Sequence, residues 1–497
     1  MVKAKIDNYL DSIQQILATL DKFELDIFRN FIEVGQRRNK SGNTSRIVST
    51  LLSNPDISVT DLRKSIGRGV SEEALYKSLT RVKEKLLESL VLDVNLRESG
   101  KYSSVFTTST LSRKKIMQAV ILFSRGLEKE GRKLLERVID QGKKYELYDE
   151  LFEVMHWVRN ENGLRFGRQK YDKYTQDMIF FQICRDGVYE ARNIYYDYYM
   201  LSDRSGEVSV KRKWAGQAVE SLKIILDQTD SSLVRYYYYL LLSELYALKR
   251  ESEKTDELAE ELLSLLRTSP ALKMDLKVGI AHSDIADMML SCEKYDQAFK
   301  FGKKALYHFE KSTYNYLIAE EMIFKSLFLQ GEMSKAKVIL NRVLEDNQIS
   351  NFPLIRSKFL FYQSCFLFVR RDFAGSIKML SEVGELKKDK YSWNIVLRIL
   401  LILNFIEGGK YDVVESEIDS FRKYMNRIKK RGDILPRYTL IVELLVSLRN
   451  NGLDFEKTYK ENKANLRKLS SQREGFRWDS KSPELISFQQ WFLQFVN

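Results

Sequence analysis

The sequence predicts an all-helical protein, built as an array of antiparallel helix pairs with a separate helical module at the N-terminal end. Three observations carry this. Helix-breaking residues are scarce: 497 residues include only 5 Pro and 23 Gly, far fewer than a protein of strands and turns needs at this length. Apolar residues recur at helical spacing along nearly the whole chain. Small residues also return at a near-constant interval in the second half, which is the mark of a repeat. The expected divisions are 1–110 for the module, 111–240 for an irregular helical region, 241–450 for clearer repeats and 451–497 for capping helices.

In the module, Tyr9, Leu10, Ile13, Ile16, Leu17 and Leu20 follow the i, i+3, i+4, i+7 spacing of an amphipathic helix. Phe23, Ile27, Phe28, Phe31 and Ile32 make a second, with Asp21 as its N-cap. A third starts at the capping residue Thr44, runs to Leu52 and stops before Pro55. A short helix over 58–66, a turn at Gly67 to Gly69 and a longer helix over 71–90 follow. Glu72 and Glu73 stand in the first turn of the last helix, where the dipole favours acids.

Short helix, glycine turn and longer helix is the pattern of a helix-turn-helix. Residues 91–96 and 102–107 around Arg97 to Lys101 read as a β-hairpin wing. A winged helix would bring Tyr76, Lys77, Thr80, Arg81 and Lys83 to a major groove, with Lys77, Arg81 and Lys83 as the nucleic-acid contacts. Plain packed helices with solvated basic residues satisfy the same pattern.

From 113 onward, helices of roughly 12–20 residues follow one another with short polar breaks. The clearest unit spans 285–306, with Ala286, Ala298 and Ala305 spaced 12 and 7 apart and Tyr295 three residues before Ala298. Here the sequence resembles the tetratricopeptide repeat, whose two antiparallel helices pack too closely at those positions for larger residues. The same frame falls on Ser364, Ser376 and Val383, and on Ile402, Val414 and Phe421. It also falls on Phe324, Ala336 and Val343, on Ala119, Gly131 and Val138, and loosely on Ala247 and Ala259. The middle positions 259, 298, 336, 376 and 414 recur every 38–40 residues, longer than the family's usual ~34. A tetratricopeptide-like α-solenoid is therefore the expectation. Between 144 and 240 no frame holds; tyrosines cluster at 195–199 and 236–239, and 201–207 is the expected hinge. Consecutive tyrosines on a helix point in different directions, so these read chiefly as helix-packing residues.

The formal charge of +13 combines 81 basic with 68 acidic residues that are mostly interspersed, so the basic excess is diffuse. Cys184, Cys292 and Cys365 are far apart with apolar neighbours, which reads as free thiols in a reducing compartment. No metal-ligand spacing links them to His156, His282 or His308. The N-terminus has no apolar signal segment, and the most apolar stretch, 395–405, is too short to span a membrane. The expected location is cytoplasmic.

No phosphate loop, dinucleotide fingerprint, nucleophile elbow or zinc-protease motif occurs. Acidic pairs such as Glu320 and Glu321 read as solvated. The expectation is a non-enzyme without cofactor or metal. The resemblance implies a concave face lined by the first helix of each pair, which holds an extended peptide or a partner helix. In this frame that face includes Asp287, Glu321, Lys325 and Lys358, a set unlike the Lys/Asn clamp that some members use for C-terminal carboxylates. The first functional expectation is thus a protein-interaction scaffold or adaptor. The second is a nucleic-acid-binding regulator that uses 58–107, with the repeats sensing a partner.

Overall fold

The structure, a computed structural model, describes residues 2–36, 42–67, 70–92, 102–202, 208–383, 393–429, 434–473, 475–480 and 482–496. Among these the protein is all-helical, with no strand. It divides into two compact units, Met1–Lys114 and Lys115–Asn497.

The first unit contains α1 (Val2–Ala18), α2 (Lys22–Gln36), α3 (Gly42–Ser53), α4 (Val59–Ile66) and α5 (Glu72–Leu90). Its boundaries are written locally. Asp21 and Glu24 exchange backbone-to-carboxylate hydrogen bonds of 2.9 Å each way, a capping box at α2. Ser58 accepts from Asp61 N at 3.2 Å and Ser71 from Ala74 N at 3.1 Å, which starts α4 and α5. Thr44 lies inside the first turn of α3 rather than ahead of it. Helices α1, α2 and α3 all pack on α5, around Ile13, Phe28, Leu75, Leu79 and Val82.

The expected wing is corrected here. Residues 93–101, its turn and most of its first strand, lie outside the described residues, as do Arg68 and Gly69. Its second strand is helical: α6 runs Ser104–Ser124. Ser103 is the physical reason, because its hydroxyl accepts from Phe106 N at 3.2 Å and caps a helix where the second strand of the wing was expected.

The second unit continues with α7 (Glu128–Tyr145), α8 (Tyr148–Phe166), the long α9 (Arg168–Ser202) and α10 (Val208–Thr229). Most of the expected hinge, 203–207, lies outside the described residues. Pairs follow: α11 (Ser232–Lys249) with α12 (Ser252–Thr268), α13 (Asp275–Ser291) with α14 (Tyr295–His308), and α15 (Tyr314–Leu329) with α16 (Met333–Leu344). Then come α17 (Pro353–Val369) with α18 (Phe373–Val383), α19 (Trp393–Glu407) with α20 (Tyr411–Lys429), and α21 (Pro436–Asn450) with α22 (Phe455–Leu469). A short α23 (Phe488–Leu493) ends the chain.

Each helix packs on the next, as in a solenoid. The first helices α11, α13, α15, α17 and α19 also touch in succession, whereas the second helices do not to a comparable extent. The array therefore curves with the first helices inside. Ala286 on α13 and Ala298 and Ala305 on α14 are fully buried, Ala305 in a cluster with Phe309 and with Ala319 of α15. Among the described residues, no helix is long and apolar enough to cross a membrane.

Candidate functional site

An open solenoid leaves the inner faces of its first helices to solvent. Here α15 is buried nearly all round: Glu320, Glu321, Ile323, Phe324, Lys325, Ser326 and Leu327 are all inaccessible. Glu320 and Glu321 are thus not solvated, which corrects the expectation for that pair. The inner face is occupied by the chain's own side chains and by its C-terminal segment.

The frame-predicted residues meet here. Glu321 accepts from Lys358 Nζ at 3.1 Å, and Lys325 Nζ lies 3.6 Å from the same carboxylate. Tyr362, fully buried, donates its hydroxyl to Glu321 Oε1. The two ammonium groups also face aromatic rings, Lys325 at 5.7 Å from the Tyr362 centroid and Lys358 at 5.4 Å from that of Trp393. Lys325 is only 5% exposed. Burial alone would raise the Glu321 carboxyl; Lys358, Lys325 and the Tyr362 hydroxyl outweigh it and hold the group down at about 2. Burial pulls Lys325 below the usual lysine range, while Glu321, Asp287 and Asp479 favour its charged form. Asp287 is half-buried on α13. Next to the cluster, Glu320 takes an ion pair from Arg342 at 2.5 Å, yet burial still raises its carboxyl.

The C-terminal segment supplies the other half of this surface. Arg477 and Ser480 donate to the carbonyls of Leu248 (3.3 Å) and Leu290 (2.7 Å), at the ends of α11 and α13. Arg250, beyond α11, donates to Trp478 O at 2.9 Å and pairs with Asp479 at 3.4 Å. Further on, Arg437 at the start of α21 makes two 2.6 Å bonds to the Glu484 carboxylate, both side chains being buried. The same guanidinium donates to the carbonyls of Leu469 and Phe476, at 3.2 and 2.9 Å. Trp491 Nε1 reaches Glu407 at 3.0 Å, at the end of α19. Residues 475–480 and 482–496 thus follow the ends of the first helices, and Leu485, Phe488, Trp491 and Phe492 enter the main core.

Spacing found Glu321, Lys325, Lys358 and Asp287. It did not find Tyr362, Trp393, Arg437 or Glu484, whose contacts join residues 41, 35 and 47 positions apart with no local signal.

Lys77 and Arg81 are exposed on α5, and Lys83 is half-buried, its ammonium 5.0 Å from the Tyr9 ring. Lys77 pairs with Glu73 at 2.9 Å. Glu73, Glu84 and Glu88 share the exposed surface of α5, which therefore carries both signs of charge. Tyr76 packs edge-on against Tyr9 at 5.1 Å, and Thr80 donates to Tyr76 O at 2.9 Å.

The tyrosine clusters pack between helices: Tyr195 meets Tyr237 at 5.4 Å, Tyr198 donates to Glu244 at 3.1 Å, and Tyr236 donates to Lys277 O at 2.9 Å. Cys184 and Cys365 are buried thiols, and burial pushes Cys184 up to about 11. Among the described residues, no group of three or more His, Cys, Asp or Glu side chains is placed to hold a metal ion. Compared with known proteins, the chain matches no family model and no curated protein.

Proposed function

We propose that this chain is a tetratricopeptide-like scaffold that binds an extended segment of a protein partner along the inner edge of its array, without catalysing a reaction. The support is the segment the array already holds. Residues 476–480 are gripped as a peptide ligand would be, through helix-end carbonyls at Leu248 and Leu290 and through guanidinium groups that reach the segment's own carbonyls. Such contacts read backbone and a few anchors, so other sequences of similar chemistry fit the same edge. Asp479 of this segment already acts on Lys325, so a partner taking the same edge would come up to the cluster of Asp287, Glu321, Lys325 and Lys358. The mixed charge of the exposed α5 surface offers less to a phosphate backbone than a uniformly basic face, so the protein partner is the reading we favour.

A photo-crosslinking side chain at Asp287 of the full chain, activated in the host cell, tests this. Crosslinks to 475–487 and, in a second population, to another polypeptide are expected. Crosslinks to the chain's own segment alone, in every preparation, would mean that the inner edge has no other client.

A further inference from the structure

A second concave site lies within the array. Between α12, α13 and α14 lies a cavity of about 420 Å³, with Leu263, Leu266 and Val278 as its apolar wall. Two of the chain's three histidines meet in it, although 26 residues separate them in sequence: the His282 and His308 rings are 5.8 Å apart. Their tautomers are fixed by what lies behind them. His282 Nδ1 is 2.8 Å from Val278 O, and a carbonyl only accepts, so that nitrogen carries the proton. His308 Nδ1 is 2.9 Å from Asp275 Oδ1, with the same consequence. Both Nε2 atoms are left for a ligand. Arg267 and Lys304 complete the polar rim, and Tyr307, 86% exposed, stands at the edge.

We propose that this groove binds a small organic oxyanion, its charged head held by His282, His308, Lys304 and Arg267. The apolar wall takes the rest of the molecule. Imidazoles backed at Nδ1 by an acceptor also suit a metal ion, but the rim here carries two cations, which repel a dication and attract an anion. The groups facing the imidazoles are Arg267 from α12, which also stands 4.0 Å from the exposed Glu260 carboxylate, Asp275 from α13, and Lys304 and Tyr307 from α14. Asp275 is the one carboxylate among them, and it is engaged by His308. An anion that accepts from Nε2–H needs that nitrogen protonated, so binding strengthens as pH falls. Burial works the other way on free His282, holding its imidazole below the usual histidine range, and a bound anion offsets that.

Imidazole NMR on the full chain tests the site, because only His156, His282 and His308 contribute. Inorganic phosphate and phenyl phosphate are the probes, at about pH 6 and about pH 8. Both probes should shift the His282 and His308 signals, leave exposed His156 unmoved, and bind more tightly at the lower pH. Phenyl phosphate should bind roughly tenfold tighter, as burying about 60 Å² of ring predicts. Lys304→Ala and Arg267→Ala, both on rim side chains outside the core, should each weaken binding severalfold while leaving the helix content of the unliganded chain unchanged; Lys304→Ala should also let the unliganded His282 ring take up its proton at a higher pH. Silence at both imidazoles overturns the proposal, as does a response to Zn2+ with none to phosphate, or undiminished binding in the two rim variants.

Discussion

Helices α13 and α14 approach each other more closely than α19 and α20, although the same frame sets both pairs. The frame positions of the first pair are Ala286, Ala298 and Ala305, those of the second Ile402, Val414 and Phe421, and all six are buried. The α17–α18 pair, with Ser364 and Ser376 facing each other, is also close. Side-chain size at the contact sets the distance between helix axes. A branched or aromatic residue there acts as a spacer, and the seam stays filled provided that its neighbours change with it. One backbone plan thus tolerates sequences that share few residues, which explains why the repeat drifts along this chain.

The largest effect is expected on α15, which lies between the close and the wide pairs and is buried on both sides. Its seam side carries Phe324 and its inner side Glu321. Glu321→Ala would leave two ammonium groups facing each other with their shared counter-charge gone. A loss of roughly 3–5 kcal/mol is expected, read by chemical denaturation. The sign with pH follows from the depressed carboxyl. Its stabilisation is fully present above the ordinary value of 4.5 and drains as pH falls from there towards about 2. The variant should therefore show a shallower acid slope over that window than the parent chain, and equal slopes would deny Glu321 this role.

The seams themselves come next. Ile402→Ala opens a cavity in the wide pair and should cost about 3 kcal/mol, since the spacing is held by that side chain. Ala298→Leu does the reverse in the close pair, and overpacking there should cost about 2 kcal/mol. The comparison sharpens if Ala286, Ala298 and Ala305 are replaced together by Ile, Val and Phe. The triple change should cost less than the sum of the three single changes, because a uniformly wider seam can be filled again. Strict additivity would show that neighbouring helices, not the facing residues, fix the distance. A smaller loss, about 1 kcal/mol, is expected for Ser376→Ala. It removes the 3.0 Å bond to Ser364 O and the 2.8 Å hydroxyl contact with Ser364.

What the sequence made legible is local. Ser58 and Ser71 announce the helices they cap, and the 12- and 7-residue spacing around Ala298 identifies two facing helices. At 102–107 the expectation of a wing strand does not hold, because the Ser103 cap starts a helix there. The inner surface was half legible. Its charged residues fall on the frame, while Tyr362, which donates to Glu321, and the C-terminal segment, 190 to 229 residues downstream of its partners on α11 and α13, do not. Nothing within a helical turn of Glu321 says that Tyr362 will cover it. For the same reason the meeting of His282 and His308 was missed, because it exists only once α13 and α14 pair.

That meeting gives the smallest effect and ties the histidine groove to the close seam. Burial holds the His282 imidazole below the usual histidine range, with Lys304 and His308 adding in the same direction. The folded chain therefore stays neutral at this ring over a range where the unfolded chain takes up a proton. Stability should decline as pH drops through about 6.5 and level off below the folded-state value. The decline, followed as melting temperature, should be smaller than the change from any seam substitution, and His282→Gln should flatten it. Ala298→Leu, by forcing α13 and α14 apart, should reduce the contribution of Lys304 and His308 and so shallow the same slope. If Ala298→Leu lowers the melting temperature but leaves the slope untouched, the close approach of these two helices is not what tunes the histidine.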